Sequence, residues 1–294
     1  MRRYKIYALL FLISLFSFIV FSPDAFSWGS YAHRQINKEA VYALPPPLYT
    51  FYKKNIEYLG DHASDPDNRK HYDSSEGQRH YIDVDHYGLK AYDELPRYWK
   101  AATEKYSKEE LQKYGTLPWE VMYWEEKLTN AFKDKDVKTI LKASAYIGHY
   151  IGDAHVPLHT VTNYDGQMTG QLGIHALWES DIPEMYGDKY GFSLGKVSYI
   201  KDPETKIFEI IQQSYYLSDR VFVAQKIVEK QFPGDKKYIN PNAERRKYLP
   251  EYVAAYNKLL NGMVEKQEQS SVLDVAGFWY TAWVNAGQPD MKGR

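Results

Sequence analysis

Apolar residues recur along most of this chain at the three-and-four spacing of an amphipathic helix, and no segment alternates convincingly as a strand would. The pattern predicts helices over Ser30–Ala43, stopped by Pro45-Pro46-Pro47, and over Pro47–Glu57. It predicts others through Trp119–Phe132, from Asp136 into residues 144–153, and over Glu204–Lys230, Pro250–Lys266 and Ser271–Ala286. Residues 61–87, 160–174 and 231–246, rich in Asp, Asn, Gly and Pro, read as loops. Residues 181–194 fit no single template. With no repeat or low-complexity tract, the expected fold is all-α: one multi-helix domain over residues 28–294.

The polar positions that break the pattern carry the chemistry. Of nine histidines, four lie between residues 149 and 175. His149 is followed four residues later by Asp153, and His175 by Glu179. On a helix such a pair lies about 40° apart on one face and can point at one metal ion. Zinc accepts this mixture of nitrogen and oxygen ligands. One pair would be an ordinary surface ion pair; two in one segment, with His155 and His159 beside them, favour a metal site. Pro157 removes an amide and crowds the carbonyl one turn back, so the helix is expected to kink or end near Val156–Leu158 and re-aim His159. A further six Asp and four His crowd residues 61–87. Oxygen ligands alone would suit calcium, whereas abundant imidazole favours zinc.

Composition sets the compartment and excludes one class of partner. The net charge of −1 argues against a protein that coats duplex nucleic acid. Arg2, Arg3 and Lys5, the apolar run Ile6–Phe21 and the Ala25-Phe26-Ser27 cleavage pattern read as a signal peptide over residues 1–27. The expected product is exported, periplasmic or secreted, and starts at Trp28. It carries no membrane anchor, and no obligate protein partner is inferred. With no cysteine, it has no disulfides to rely on. Cleavage before Trp28 would leave a free amine five residues ahead of His33. That amine and its carbonyl can chelate a metal, or Trp28 is merely the first ordered residue.

In this order the residues resemble the superfamily of zinc-dependent bacterial phospholipases C and single-strand-specific nucleases of fungi and plants. The resemblance runs from Trp28 and His33, through Asp65 and the His80-Tyr81-Ile82-Asp83 context, to His149, Asp153, His159, His175 and Glu179. It implies an all-α fold with a three-zinc cluster in a cleft. One zinc would take Asp65, His80, His149 and Asp153, and a second the Trp28 amine and carbonyl, His33 and a bridging Asp153. A third would take His159, His175 and Glu179. Asp67 competes with Asp65, and His155 with His159; the family spacing favours Asp65 and His159. His62, His71 and His86 are expected to bind no metal.

The implied activity is hydrolysis of phosphate diesters by in-line attack of activated water, with the third zinc at the leaving oxygen. Asp65 would help deprotonate the water, and Arg69 would neutralise charge on phosphoryl oxygens, unless it is a plain surface arginine. Tyr81 would stack on a base and Asp83 would read a base edge, although Tyr81 could simply be packed and Asp83 could hold a histidine ligand. The wording Gly152-Asp153-Ala154-His155-Val156-Pro157-Leu158-His159 and Trp178 lean toward the nucleases. Glu179 and the short 160–174 loop lean toward the phospholipases. Single-stranded nucleic acid is the favoured substrate and phospholipid the alternative. A non-catalytic zinc protein, in which the metals only cross-link helices, is the remaining reading.

Overall fold

Proline stands in the first turn of four of the main helices, where its missing amide costs nothing. In the structure, a computed structural model, residues 29–88, 90–192, 195–243 and 246–292 are described. The proposed signal peptide and Trp28 lie outside them. The main helices are α1 (Ser30–Ala40), α2 (Pro46–Lys54), α3 (Ile56–Asp61), α4 (Leu117–Asp134) and α5 (Val137–Ala154). They continue with α6 (Pro203–Glu229), α7 (Pro250–Leu260) and α8 (Met263–Asn285). Among the described residues the only β-type pairing is one isolated bridge between Tyr238 and Tyr248. The fold is all-α, as expected.

Helix α5 is the axis. Every residue from Ala143 to Thr160 is buried, and α1, α4, α6 and α8 close around it. It begins at Asp136, whose Oδ1 accepts the Thr139 amide at 3.2 Å and caps the helix. It ends at Ala154, ahead of Pro157, and the chain turns tightly over Pro157–Thr160. That is the break proline imposes.

Two glycines on α5 let α1 approach. A Cβ on Gly148 would lie 1.7 Å from Asn37 Oδ1, and one on Gly152 would lie 3.1 Å from His33 Nδ1. In the space so left, Asn37 donates to the carbonyls of Leu59 and Ala145, both at 3.1 Å. The buried amide thereby joins three segments without leaving its donors unpaired.

Three expectations about boundaries change. The break in the last helical third falls at Asn261 and Gly262, both at positive φ (53° and 73°), so α8 starts at Met263 rather than near Ser271. An Asn-Gly pair tolerates the left-handed region and ends one helix there. The helix expected over Pro47–Glu57 divides at Asn55 into α2 and α3. The loop 61–87 contains helical turns at Asp65–Arg69, Gly77–His80 and Val84–Tyr87.

Candidate metal centre

Three groups of potential ligands converge on the end of α5. His80, His149 and Asp153 form one, His33, Asp67 and His149 a second sharing an imidazole with it, and His159, His175 and Glu179 a third. Helix α1 carries His33, whose ring stacks on that of His149 at 3.9 Å between centroids; the bare faces of Gly148 and Gly152 permit this. Asp153 links the first two groups. Its Oδ2 lies 2.9 Å from His80 Nδ1 and 3.3 Å from His149 Nε2, and its Oδ1 lies 3.4 Å from His33 Nε2. In the third group Glu179 Oε2 is 3.0 Å from His175 Nε2 and 3.4 Å from His159 Nε2. The turn that carries Glu179, Leu177–Asp181, is wider than an α-helical one.

Hydrogen bonds on the far side of each ring assign its tautomer. His149 Nδ1 donates to the carbonyl of Ala63 at 2.9 Å, His159 Nδ1 to that of His80, and His175 Nδ1 to that of Tyr164 at 3.1 Å. The Nε2 atoms then present lone pairs to the centre. His175 Nε2 and His159 Nε2 face each other at 3.1 Å, and His149 Nε2 faces His80 Nδ1 at 3.0 Å. Paired lone pairs at that distance repel unless a cation lies between them. Neither oxygen of the fully buried Glu179 has a hydrogen-bond donor. A buried anion without donors is costly, and a divalent ion removes the cost. The donor set therefore fits zinc in each group.

The electrostatics agree. Burial, reinforced by the charge of His33, holds His149 well below the ordinary imidazole value, and burial brings His175 down to about 4. Burial pushes the Glu179 carboxyl up to about 8, although His159 opposes it. For Asp153 burial raises the value, but His149 and His159 outweigh it and hold the carboxyl well below its usual range. Lys70 Nζ lies 2.8 Å from Asp67 Oδ1, and Asp67 and Asp153 raise its pKa against burial.

Two sequence-based assignments are corrected. Asp65 does not face the centre; its Oδ2 pairs with His62 Nδ1 at 2.7 Å. On the short Asp65–Arg69 helix, residues two apart point to opposite sides, and Asp67 is the one turned inward, 3.6 Å from His80 Nδ1 and 3.7 Å from His149 Nε2. Arg69 points away as well. Its Nη2 donates to Tyr150 Oη at 2.7 Å and pairs with Glu76 at 2.9 Å, and its guanidinium lies over the Tyr146 ring at 4.7 Å. Lys70, the next residue, is the cation that interacts with Asp67, Asp153 and Glu179.

Of the other histidines, His155 pairs with Asp274 at 3.0 Å, and His86 stacks on Tyr114 and pairs with Glu110. His71 is exposed. The assignment of Trp28 lies outside the described residues, but Gly29 N donates to the carbonyl of Glu179 at 3.2 Å, so the chain enters the fold beside the third group.

Tyr81 and Asp83 stand next to the third group. Ile82 N donates to the carbonyl of His159 at 2.9 Å while His159 Nδ1 donates to His80 O, so one backbone and one side-chain bond fix the 80–83 segment there. Tyr81 Oη donates to Lys113 O at 3.0 Å. Burial, with Asp85 adding to it, pushes the Asp83 carboxyl up to about 7. Tyr164, which the sequence did not single out, is 43% exposed with its ring 6.0 Å from His175. It is near enough to raise the Tyr81 hydroxyl pKa, after burial and Asp83. Asp67 was in view as a competitor. Glu76 was not, although it stands four residues before His80, the same spacing that flagged the other pairs.

The family model described as S1/P1 Nuclease matches residues 28–267. No curated protein matches the chain at a significant level.

Proposed function

This chain belongs to the S1/P1 nuclease family, and from that premise we propose that its substrate is single-stranded nucleic acid, met after export from the cell. The family and the three ligand groups make it a zinc-dependent phosphodiesterase of nuclease type. Zinc bound by these groups supplies Lewis acidity and an activated water at neutral pH. The chain's own residues do the rest. Asp67, Asp153 and the histidine set fix the ions. Lys70, part-buried beside Asp67, meets negative charge on the non-bridging phosphoryl oxygens.

The observation that supports a nucleic-acid substrate is the grouping of Tyr81, Asp83 and Tyr164 against the third ligand group. Two tyrosine rings offer stacking surfaces, and a carboxyl with a pKa near 7 can donate to or accept from a base edge. A base reaches such a position only when it is out of a duplex, which favours single strands. A second reading has its own support: Met168 and Leu172, 69% and 60% exposed on the loop before His175, present apolar surface that suits a lipid.

The deciding experiment is turnover by zinc-loaded protein starting at Trp28, on single-stranded DNA and RNA, duplex DNA and phosphatidylcholine vesicles, with chelated controls. Chelator-sensitive cleavage of single strands is expected. Release of phosphocholine alone would replace the nuclease reading with the phospholipase one. Among the described residues no helix is long and apolar enough to cross a membrane. Export is tested by sequencing the amino terminus of the protein recovered outside the cytoplasm. Trp28 is expected there, and an unprocessed Met1 would refute it.

A further inference from the structure

We propose that Glu76 is a positioning residue for the metal centre: a buried carboxylate that orients His80 and makes it a stronger ligand. Glu76 is fully buried. Its Oε1 lies 3.3 Å from His80 Nε2, the ring nitrogen turned away from the metal groups; this is an ion-pair approach, not an aligned hydrogen bond, and no other group bonds that nitrogen. His80 differs in this from its neighbours. His149, His159 and His175 spend their outer N–H on backbone carbonyls. His80 instead offers Nδ1 to the centre, 2.9 Å from Asp153 Oδ2, and turns Nε2 to a carboxylate. A carboxylate behind a ligating imidazole fixes its tautomer and raises its basicity more than a neutral carbonyl does.

The carboxylate is itself held by a set of donors. Tyr150 Oη donates to Oε1 at 2.5 Å, Arg69 Nη2 lies 3.0 Å from Oε1 and 2.9 Å from Oε2, and Arg79 Nη1 donates to Oε2 at 2.7 Å. These contacts keep Glu76 ionised in spite of its burial. They also fix its position from α5 (Tyr150), from the Asp65–Arg69 turn and from the Gly77–His80 turn together. Arg69 therefore serves the centre at one remove, through Glu76, and not by touching substrate. An ion pair with two arginines alone would explain the network's stability. It would not explain why His80 reverses the ring orientation that His149, His159 and His175 share.

The test is metal binding, read without substrate. Wild type, Glu76→Gln, Glu76→Asp and Glu120→Gln are stripped and titrated with zinc against a chromophoric chelator, and with cobalt by visible absorption. Glu76→Gln keeps the size and removes the charge; Glu76→Asp keeps the charge for both arginines and withdraws it from His80. Both are expected to lose roughly 10–100-fold in affinity at one site while the other sites keep theirs and the helical circular dichroism is unchanged. Glu120→Gln, which removes a second carboxylate of the same network, one that pairs with Arg79 and Trp124 and lies within electrostatic reach of Glu76, is expected to bind as wild type. Wild-type affinity at every site in both Glu76 variants would overturn the proposal. Should Glu76→Gln fail to fold, Glu76→Asp decides: a single weakened site supports the proposal, and unchanged or uniformly weakened binding overturns it.

Discussion

Glu268 on α8 is fully buried, and neither of its carboxylate oxygens has a hydrogen-bond partner. Burial pushes its pKa up from 4.5 to about 8, with Glu265 adding to the effect. It also interacts with Tyr31 on α1 and with Tyr190, whose buried hydroxyl likewise has no partner. Because the folded value is raised, the native state binds the proton more tightly than the unfolded chain. The stabilisation is therefore complete below about pH 4.5 and is lost as pH rises through about 8. A shift of this size corresponds to roughly 3–5 kcal/mol of stability lost across that window.

Replacement by glutamine keeps the shape and removes the titration. Glu268→Gln should match wild type near pH 4.5 and exceed it by several kcal/mol at pH 8.5. The assay is denaturant unfolding of the zinc-loaded pair across this range. Taking the difference between the two proteins at each pH cancels the other titrating groups, the metal ligands included. A difference that stays constant with pH would refute the reasoning, since it would mean that the carboxyl is either solvated or paired in the folded protein.

Other outcomes follow from the site. Asp67→Asn should lose zinc and most turnover, whereas Asp65→Asn should keep both and cost about 0.5–1 kcal/mol through its half-exposed pair with His62; metal analysis beside kinetics decides. Lys70→Met should lower kcat by roughly 10²-fold or more with zinc content unchanged, and an unaltered kcat would return the phosphate-facing role to another cation. Gly148→Ala should destabilise the fold by about 1–3 kcal/mol, because the added methyl meets Asn37 Oδ1, and should weaken zinc at the His33 group. Thermal unfolding and metal stoichiometry would show both. Tyr81→Ala and Tyr164→Ala should each raise KM for an oligonucleotide by an amount worth about 1–3 kcal/mol while sparing a substrate without bases; equal effects on both substrates would contradict stacking.

Local pattern is what the sequence by itself determined. Helical periodicity, proline stops and four-residue His-carboxylate spacings are written in contiguous residues. They sufficed for the all-α fold, for the end of α5 before Pro157, and for the ligand groups centred on His149–Asp153 and His175–Glu179. The choice between Asp65 and Asp67 was of another kind. Both lie on one short turn, and which one faces inward depends on how that turn sits against His80 and His149, contacts 13 or more residues distant along the chain. Arg69 turns away from its expected place for the same reason, and Lys70, of which the sequence suggested nothing, lies beside Asp67 instead: a one-residue step on a helix rotates a side chain by about 100°, and only the packing of Tyr146, Tyr150 and Glu76 fixes the phase. The approach of α1 to α5 through Gly148 and Gly152, and the reversed ring of His80 against Glu76, arise from surfaces brought together by folding. Spacing along a chain reports which residues can share a face; which face meets the metal is decided by what packs behind it.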